Sequence, residues 1–245
     1  MEIFELSKIS QLDTAGTYIL DKAAAQYGVT TDDLIEEISE CINDMPVAEA
    51  VNAGSWYFEA NAFAKELAAK YSTTPEIAAG IIAAVSPRMP WLRNKYVADA
   101  ILARMGEYAS LSAMDAAKAM GLGLSVNVSM AIKIARGAVI GETLTGIKRR
   151  SFYNNIIAPN TNQSVTVDTW MMVAYCNVTG TDKATALKFI TANEKALKGT
   201  GAGYFMIADA VRQVASEMNL MPHQVQAMYW VAVSGSFNGG RTDIN

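Results

Sequence analysis

Histidine and cysteine are almost missing from this chain. One His and two Cys among 245 residues are too few for an iron–sulfur cluster or a cysteine-based zinc site, and a lone imidazole would need clustered carboxylates that the sequence does not show. No metal and no cofactor is expected. Cys41 and Cys176 read as reduced thiols of a cytoplasmic protein rather than as a lone disulfide. No run of eighteen apolar residues occurs, so no membrane span is expected. The opening MEIFELSKIS lacks the cationic and apolar regions of a secretory signal. Charged residues are scarce at 18%, whereas hydrophobic ones reach 51%, which excludes a disordered chain and calls for a sizeable core. The length suits one large domain or two small lobes.

Acid and base are unevenly spread. Residues 1–50 carry eleven acidic and two basic side chains, a net −9, and the rest of the chain is net +5. A nucleic-acid partner is electrostatically open to the body of the protein. Within TTDDLIEEISECINDM, Thr31 is placed to cap a helix whose first turn is acidic. That segment reads as a solvated helix face, or as an acidic arm that shields a basic cleft or meets a protein partner.

The apolar spacing is helical nearly throughout. WYFEANAFAKELAAKY (56–71) repeats at three and four residues. In STTPEIAAGIIAAVSP (72–87), Thr74 can cap, Pro75 takes the first helical position and Ser86-Pro87 ends the run. Further helices are predicted at WLRNKYVADAILARMG, LSAMDAAKAMGLG, NVSMAIKIARGAVIG, RRSFYNNIIA, TWMMVAYCNV, TDKATALKFITANEKAL and MPHQVQAMYWVAVSG. SVTVDT (164–169) alone has strand-like composition, and it is too short and isolated to build a sheet. The fold class is all-α.

Three stretches could carry chemistry. Gly146 precedes Lys148, Arg149 and Arg150 at a helix start, where free N–H groups favour an anion such as phosphate. The alternative is a solvated turn. SPRMPWLRNK (86–95) is a stiff two-proline turn with Arg88, Arg93, Lys95 and Trp91, suited to a backbone or a base stack; equally, Trp91 is core and the cations are surface. Asp168 stands before an apolar helical run and is placed to cap it at Trp170 or Met171. His223, Tyr229 and Trp230 read as helix-start and core residues.

In order along the chain, these stretches resemble the helix-hairpin-helix DNA glycosylase superfamily, the group of endonuclease III and the adenine glycosylases. IIAAVSPRMPWLRNKYVADAI resembles the family's "LL-S-x-Q-T" helix–turn–helix, with Arg88 at the glutamine. LTGIKRRSF resembles the hairpin "LPGVGRKTA". VTVDTWM resembles "VDTHV", whose aspartate is catalytic. Eighteen residues separate Arg150 from Asp168, the interval between the family's catalytic lysine and its aspartate. The likeness spans about residues 75–175.

The resemblance implies a two-lobed helical bundle of that type. An acidic helical segment would cover 1–50, a first lobe 51–75 plus 169–245, and a second lobe with the hairpin 76–168. It implies DNA as partner, a flipped nucleotide, and catalysis at or near its N-glycosidic bond by Asp168 with Arg150. Arg88, Trp91, Asn94, Gly146, Lys148, Arg149, Tyr153 and Trp170 would bind the substrate. Two departures stand out. Lys148 replaces the hairpin's second glycine. Arg150 replaces the lysine, and an arginine, always protonated, forms no Schiff base, so a monofunctional enzyme is implied. Lys148 is two residues from Arg150, about 200° around a helix, and is not expected to replace it. Two alternatives remain: a viral-type enzyme that joins an amine or amino acid to a modified thymine, and a non-catalytic helical domain that binds DNA or protein.

Overall fold

The computed structural model describes residues 27–191 and 202–235. Every regular element among them is a helix: α1 (Thr31–Asn43), α2 (Val47–Gly54), α3 (Trp56–Lys70), α4 (Pro75–Val85), α5 (Trp91–Arg104), α6 (Ala113–Met120), α7 (Ser125–Ala135), α8 (Ile140–Thr143), α9 (Ile147–Ile157), α10 (Met172–Thr179), α11 (Lys183–Thr191), α12 (Ala202–Glu217) and α13 (Pro222–Ser234). None of the described helices is long and apolar enough to cross a membrane. The chain is all-α, as its periodicity predicts.

Local signals explain the boundaries. Thr74 Oγ1 accepts from the Ile77 amide at 3.3 Å and Pro75 takes the first turn of α4. The cap of α1 is Thr30, one residue earlier than the sequence suggests. Its Oγ1 accepts from Asp33 N at 3.2 Å while Asp33 Oδ2 accepts from Thr30 N at 2.7 Å. This reciprocal pair satisfies two free amide donors at once: Asp33 stands three positions after Thr30, whereas the position three after Thr31 is Leu34, which cannot close such a pair. Burial of Leu34, Ile38 and Ile42 then lays one stripe of α1 against the protein.

Two cores form. The first gathers side chains from α3 to α9 around α4, whose residues from Ala78 to Val85 are all buried. Small residues let helices close in on it: a Cβ on Gly80 would stand 3.1 Å from Ile134 Cγ2 on α7. The second core joins α1, α10, α11, α12 and most of the buried face of α13. Helix α13 is shared, with Ala227 in the first core, Val225, Tyr229 and Val231 in the second, and Trp230 packed against both.

This partition differs from the expected one in two places. Helix α3 lies within the 51–75 segment assigned to the lobe of 169–245, yet Trp56, Tyr57, Ala60, Ala64 and Leu67 are buried in the first core. Helix α1, expected in a segment separate from both lobes, joins the second core instead. Its apolar stripe is part of the second core, and Glu37 accepts from Asn177 Nδ2 at 2.6 Å and from the Tyr229 hydroxyl at 3.1 Å. Residues 1–26 of the acidic segment lie outside the described residues.

The strand-like stretch before α10 is extended but pairs with no strand among the described residues. Side chains satisfy it instead. Asn154 Nδ2 donates to Ser164 Oγ at 3.0 Å, Asn155 Nδ2 to Thr166 Oγ1 at 3.1 Å, and the Tyr204 hydroxyl to Val165 O at 2.8 Å. Alternation does the rest: Val165 and Val167 enter the second core, while Ser164 and Thr166 turn to α9.

Candidate active site

A cleft opens where the two cores meet. Counting the part open to solvent, it encloses about 540 Å³. Trp56 and Tyr57 come from α3, Ser86 and Met89 from the α4–α5 turn, and Trp91 and Asn94 from α5. Lys148 and Phe152 come from α9, Thr166 and Asp168 from the extended stretch, and Gln226 and Trp230 from α13.

Its walls are aromatic. The Trp56 ring lies 4.7 Å from Trp91, 5.4 Å from Trp230 and 5.8 Å from Phe152, centre to centre. Such faces suit a planar ring that stacks. Set into them is a polar group of fixed partners. The Tyr57 hydroxyl donates to Gln226 Oε1 at 2.7 Å, and burial pushes that phenol far above its usual range, so Tyr57 remains a neutral donor. Gln226 Nε2 makes no hydrogen bond among the described residues. Asn94 is 2% exposed; its Nδ2 donates to the Ile82 carbonyl at 3.2 Å, which fixes the orientation of the amide. Asn94 Oδ1, Trp56 Nε1 and Trp230 Nε1 are buried without a partner. Each such atom costs about 1–3 kcal/mol unless something binds it.

Asp168 is half-buried. Its Oδ1 accepts from Trp170 N at 2.9 Å and Met171 N at 3.3 Å, the capping role that its place in the sequence predicts. Oδ2 makes no hydrogen bond among the described residues. One oxygen therefore orients the group while the other is left for the cleft.

The three hairpin cations separate. Gly146 (φ +83°) makes the turn before α9. Lys148 lines the cleft together with Phe152, one turn on. Arg149 turns to α7, with Nη2 donating to Asn127 Oδ1 at 2.8 Å. Arg150, expected beside Asp168, lies off the cleft: its Nε donates to Leu144 O at 2.8 Å and its Nη2 to Gly141 O at 3.0 Å. Helical geometry is the reason. Positions 148 and 152 share a face, and 150 is about 200° away. The cation that joins Asp168 in the cleft is thus Lys148, and Arg150 ties down the carbonyls at the end of α8.

The remaining sequence candidates divide. Trp91 and Asn94 line the cleft. Arg88 is exposed in the turn that supplies Ser86 and Met89, with φ at +60°, a left-handed conformation costly for a side chain with a Cβ. Tyr153 is buried in the first core and does not line the cleft. Trp170 is half-buried outside the cleft, its ring 5.2 Å from Lys183 Nζ.

Sequence reasoning missed Trp56, Tyr57, Phe152, Thr166 and Gln226, and read Trp230 as core alone. A signal existed for one of them. Helix α13 is buried nearly all round, and Gln226, 4% exposed, is a polar residue in an apolar setting that needs a reason. The aromatic residues gave none, because a core ring and a cleft ring look alike in sequence.

No curated protein and no solved structure matches the chain. One family model does, over residues 21–237. The chain belongs to that family, which is described as the family of unknown function DUF7178.

Proposed function

We propose that this protein is a DNA base-processing enzyme of the helix-hairpin-helix glycosylase type. A nucleotide turned out of the stack enters the cleft. Asp168 acts at or near its N-glycosidic bond. The observation that carries this reading is the placement of Asp168 and Lys148 in one aromatic-walled cleft between two helical cores.

The chemistry follows from the groups present. When the bond between base and sugar breaks, its electrons leave with the base and positive charge grows on the sugar. The Asp168 carboxylate, held by two amide donors, would stabilise that charge or position the attacking water. Lys148 would hold a flanking phosphate or the anionic leaving base as a point charge. The rings of Trp56, Trp91 and Phe152 would stack on the everted base. Exposed Arg88 and Arg93 would meet the backbone outside, and the net +5 of residues 51–245 favours that approach.

A second reading gains from Lys148. A cation in the pocket also suits transfer at the base itself, in which an amine or amino acid displaces an anionic group from a modified thymine. The product decides. DNA from the protein's source is incubated with the protein and its nucleosides are weighed by mass spectrometry. Abasic sites mean bond cleavage, and heavier nucleosides mean transfer. Asp168→Asn retains an oxygen that can cap and should form neither product while remaining folded. Full activity of that variant would remove Asp168 from the mechanism. A wild-type protein that alters no DNA would leave only a binding domain.

A further inference from the structure

We infer that Gln226 is a substrate-binding residue of the cleft, its side-chain N–H donating to an acceptor atom of the everted base, a carbonyl oxygen or a ring nitrogen. This rests on the proposed function and assigns one of its base contacts.

The two ends of the Gln226 amide are treated differently by the fold. Its Oε1 is engaged, accepting from the Tyr57 hydroxyl at 2.7 Å. Thr166 and Asn155 lie beside that hydroxyl and act on its oxygen as donors, and Asn155 Nδ2 also donates to Thr166 Oγ1 at 3.1 Å. Donors from α9 and the extended stretch thus leave the phenolic proton for Gln226, which fixes the end of the amide that faces Tyr57. The other end, Nε2, makes no hydrogen bond among the described residues. Unlike Trp56 Nε1, it is not among the enclosed atoms left without a partner, so it keeps accessible surface. The open space that Gln226 lines is the cleft.

The surroundings suit a ligand contact. Thr166 and Asp168, two apart in the extended stretch, share one side of it and both line the cleft. The Tyr57–Gln226 bond therefore adjoins the side that carries the carboxylate. Trp230, one turn along α13, lines the cleft as well. One helix offers an indole and an N–H a turn apart, which matches a flat heteroaromatic ring with acceptors at its edge. Accepting from Tyr57 accounts for Oε1 alone; a buried amide placed only for that would have no use for its N–H.

The test is the coupling between this residue and the base. The full chain, carrying Asp168→Asn so that no turnover occurs, is titrated with two kinds of short duplex. One has a central T, U, C, A or G opposite an abasic site, which lets the base leave the stack; the other is abasic on both strands there. The ratio of the two affinities measures what the base adds. For the base with the largest ratio, Gln226→Leu should cut it about ten-fold, the worth of one buried hydrogen bond, and leave binding of the baseless duplex unchanged. Gln226→Glu keeps the acceptor for Tyr57 and removes the N–H. Its added charge weakens both duplexes alike, and the ratio should again fall about ten-fold, which serves if the leucine variant does not fold. A ratio that Gln226→Glu leaves unchanged overturns the inference. If no base adds affinity while wild-type protein still forms a product on DNA from its source, the inference falls and the proposed function stands. If no base adds affinity and no product forms, both fall.

Discussion

The Tyr204 hydroxyl donates to the Val165 carbonyl at 2.8 Å, and through that bond a helix of the second core grips the stretch that ends at Asp168. The same oxygen accepts from Val167 N at 3.3 Å. Burial pushes the phenol up to about 12, so the group stays a neutral donor at all working pH values. Tyr204→Phe removes these two bonds and the 3.4 Å contact with Ser151 Oγ, and strands a buried carbonyl. We expect a loss of about 1–3 kcal/mol by urea denaturation. If Asp168 acts as proposed, product formation should fall more steeply than the folded fraction at the assay temperature.

The neighbours Lys148 and Arg150 should behave as opposites. Lys148 is in the cleft and makes no hydrogen bond or ion pair among the described residues, so Lys148→Met should change stability by under about 0.5 kcal/mol while weakening DNA binding and reducing product. Arg150 holds carbonyls of Gly141 and Leu144. Arg150→Met should cost about 1–3 kcal/mol, seen as a lower melting temperature. The reverse pattern would place the functional cation at 150.

His223 is fully buried and sets a pH dependence. Its Nε2 must be the donor to the Pro159 carbonyl at 2.5 Å, since a carbonyl only accepts, and Nδ1 is left without a partner. Burial pulls its pKa below the usual histidine value, outweighing the carbonyl contact that raises it. An unfolded chain takes up this proton near pH 6.5; the folded one does so only lower. The associated stability is complete above about pH 6.5 and is lost as pH falls from there through the folded pKa, at no more than about 1.4 kcal/mol per pH unit. Half-buried Asp209, whose carboxyl partial desolvation raises against the opposing pull of Arg212, works in the opposite sense, losing stability as pH rises through its folded value. The difference between wild type and His223→Gln in denaturation from pH 5 to 7 isolates the imidazole, the only one in the chain. The variant should be the flatter of the two.

Two helical glycines should respond unequally to alanine. At Gly203 a Cβ would lie 2.4 Å from the Phe189 carbonyl oxygen, a backbone atom of α11 that cannot step aside. Gly203→Ala should cost about 1–3 kcal/mol or more. At Gly54 the nearest atom, at 2.7 Å, is Met228 Cε, the end of a flexible side chain. There the helix preference for alanine, about 1 kcal/mol, offsets the shift, and the melting temperature should hardly move.

The helices were legible because their starts are written in local chemistry: Thr74-Pro75, Gly146 and the Asp168 cap were each readable from a few neighbouring residues. The packing of α3 was not. Its apolar stripe says that a face is buried, and nothing in WYFEANAFAKELAAKY says against which core. For the candidate site, the family resemblance named Asp168, Trp91, Asn94 and Lys148, all of which line the cleft, but set Arg150 beside Asp168 where the structure has Lys148. The interval of eighteen residues counts along the chain; the 100° step of a helix decides what faces a cavity. Phe152 and Trp56 escaped notice, and Trp230 reads only as core, because lining a cleft requires a second element opposite, and only tertiary structure supplies it.

Trp230 touches both cores and also walls the cleft. Severing the halves would bare an indole that each uses as its lid, so neither should persist as an independent fragment. Occupancy of the cleft should consequently be felt as one cooperative melting event across the whole molecule, never as the hardening of a single half.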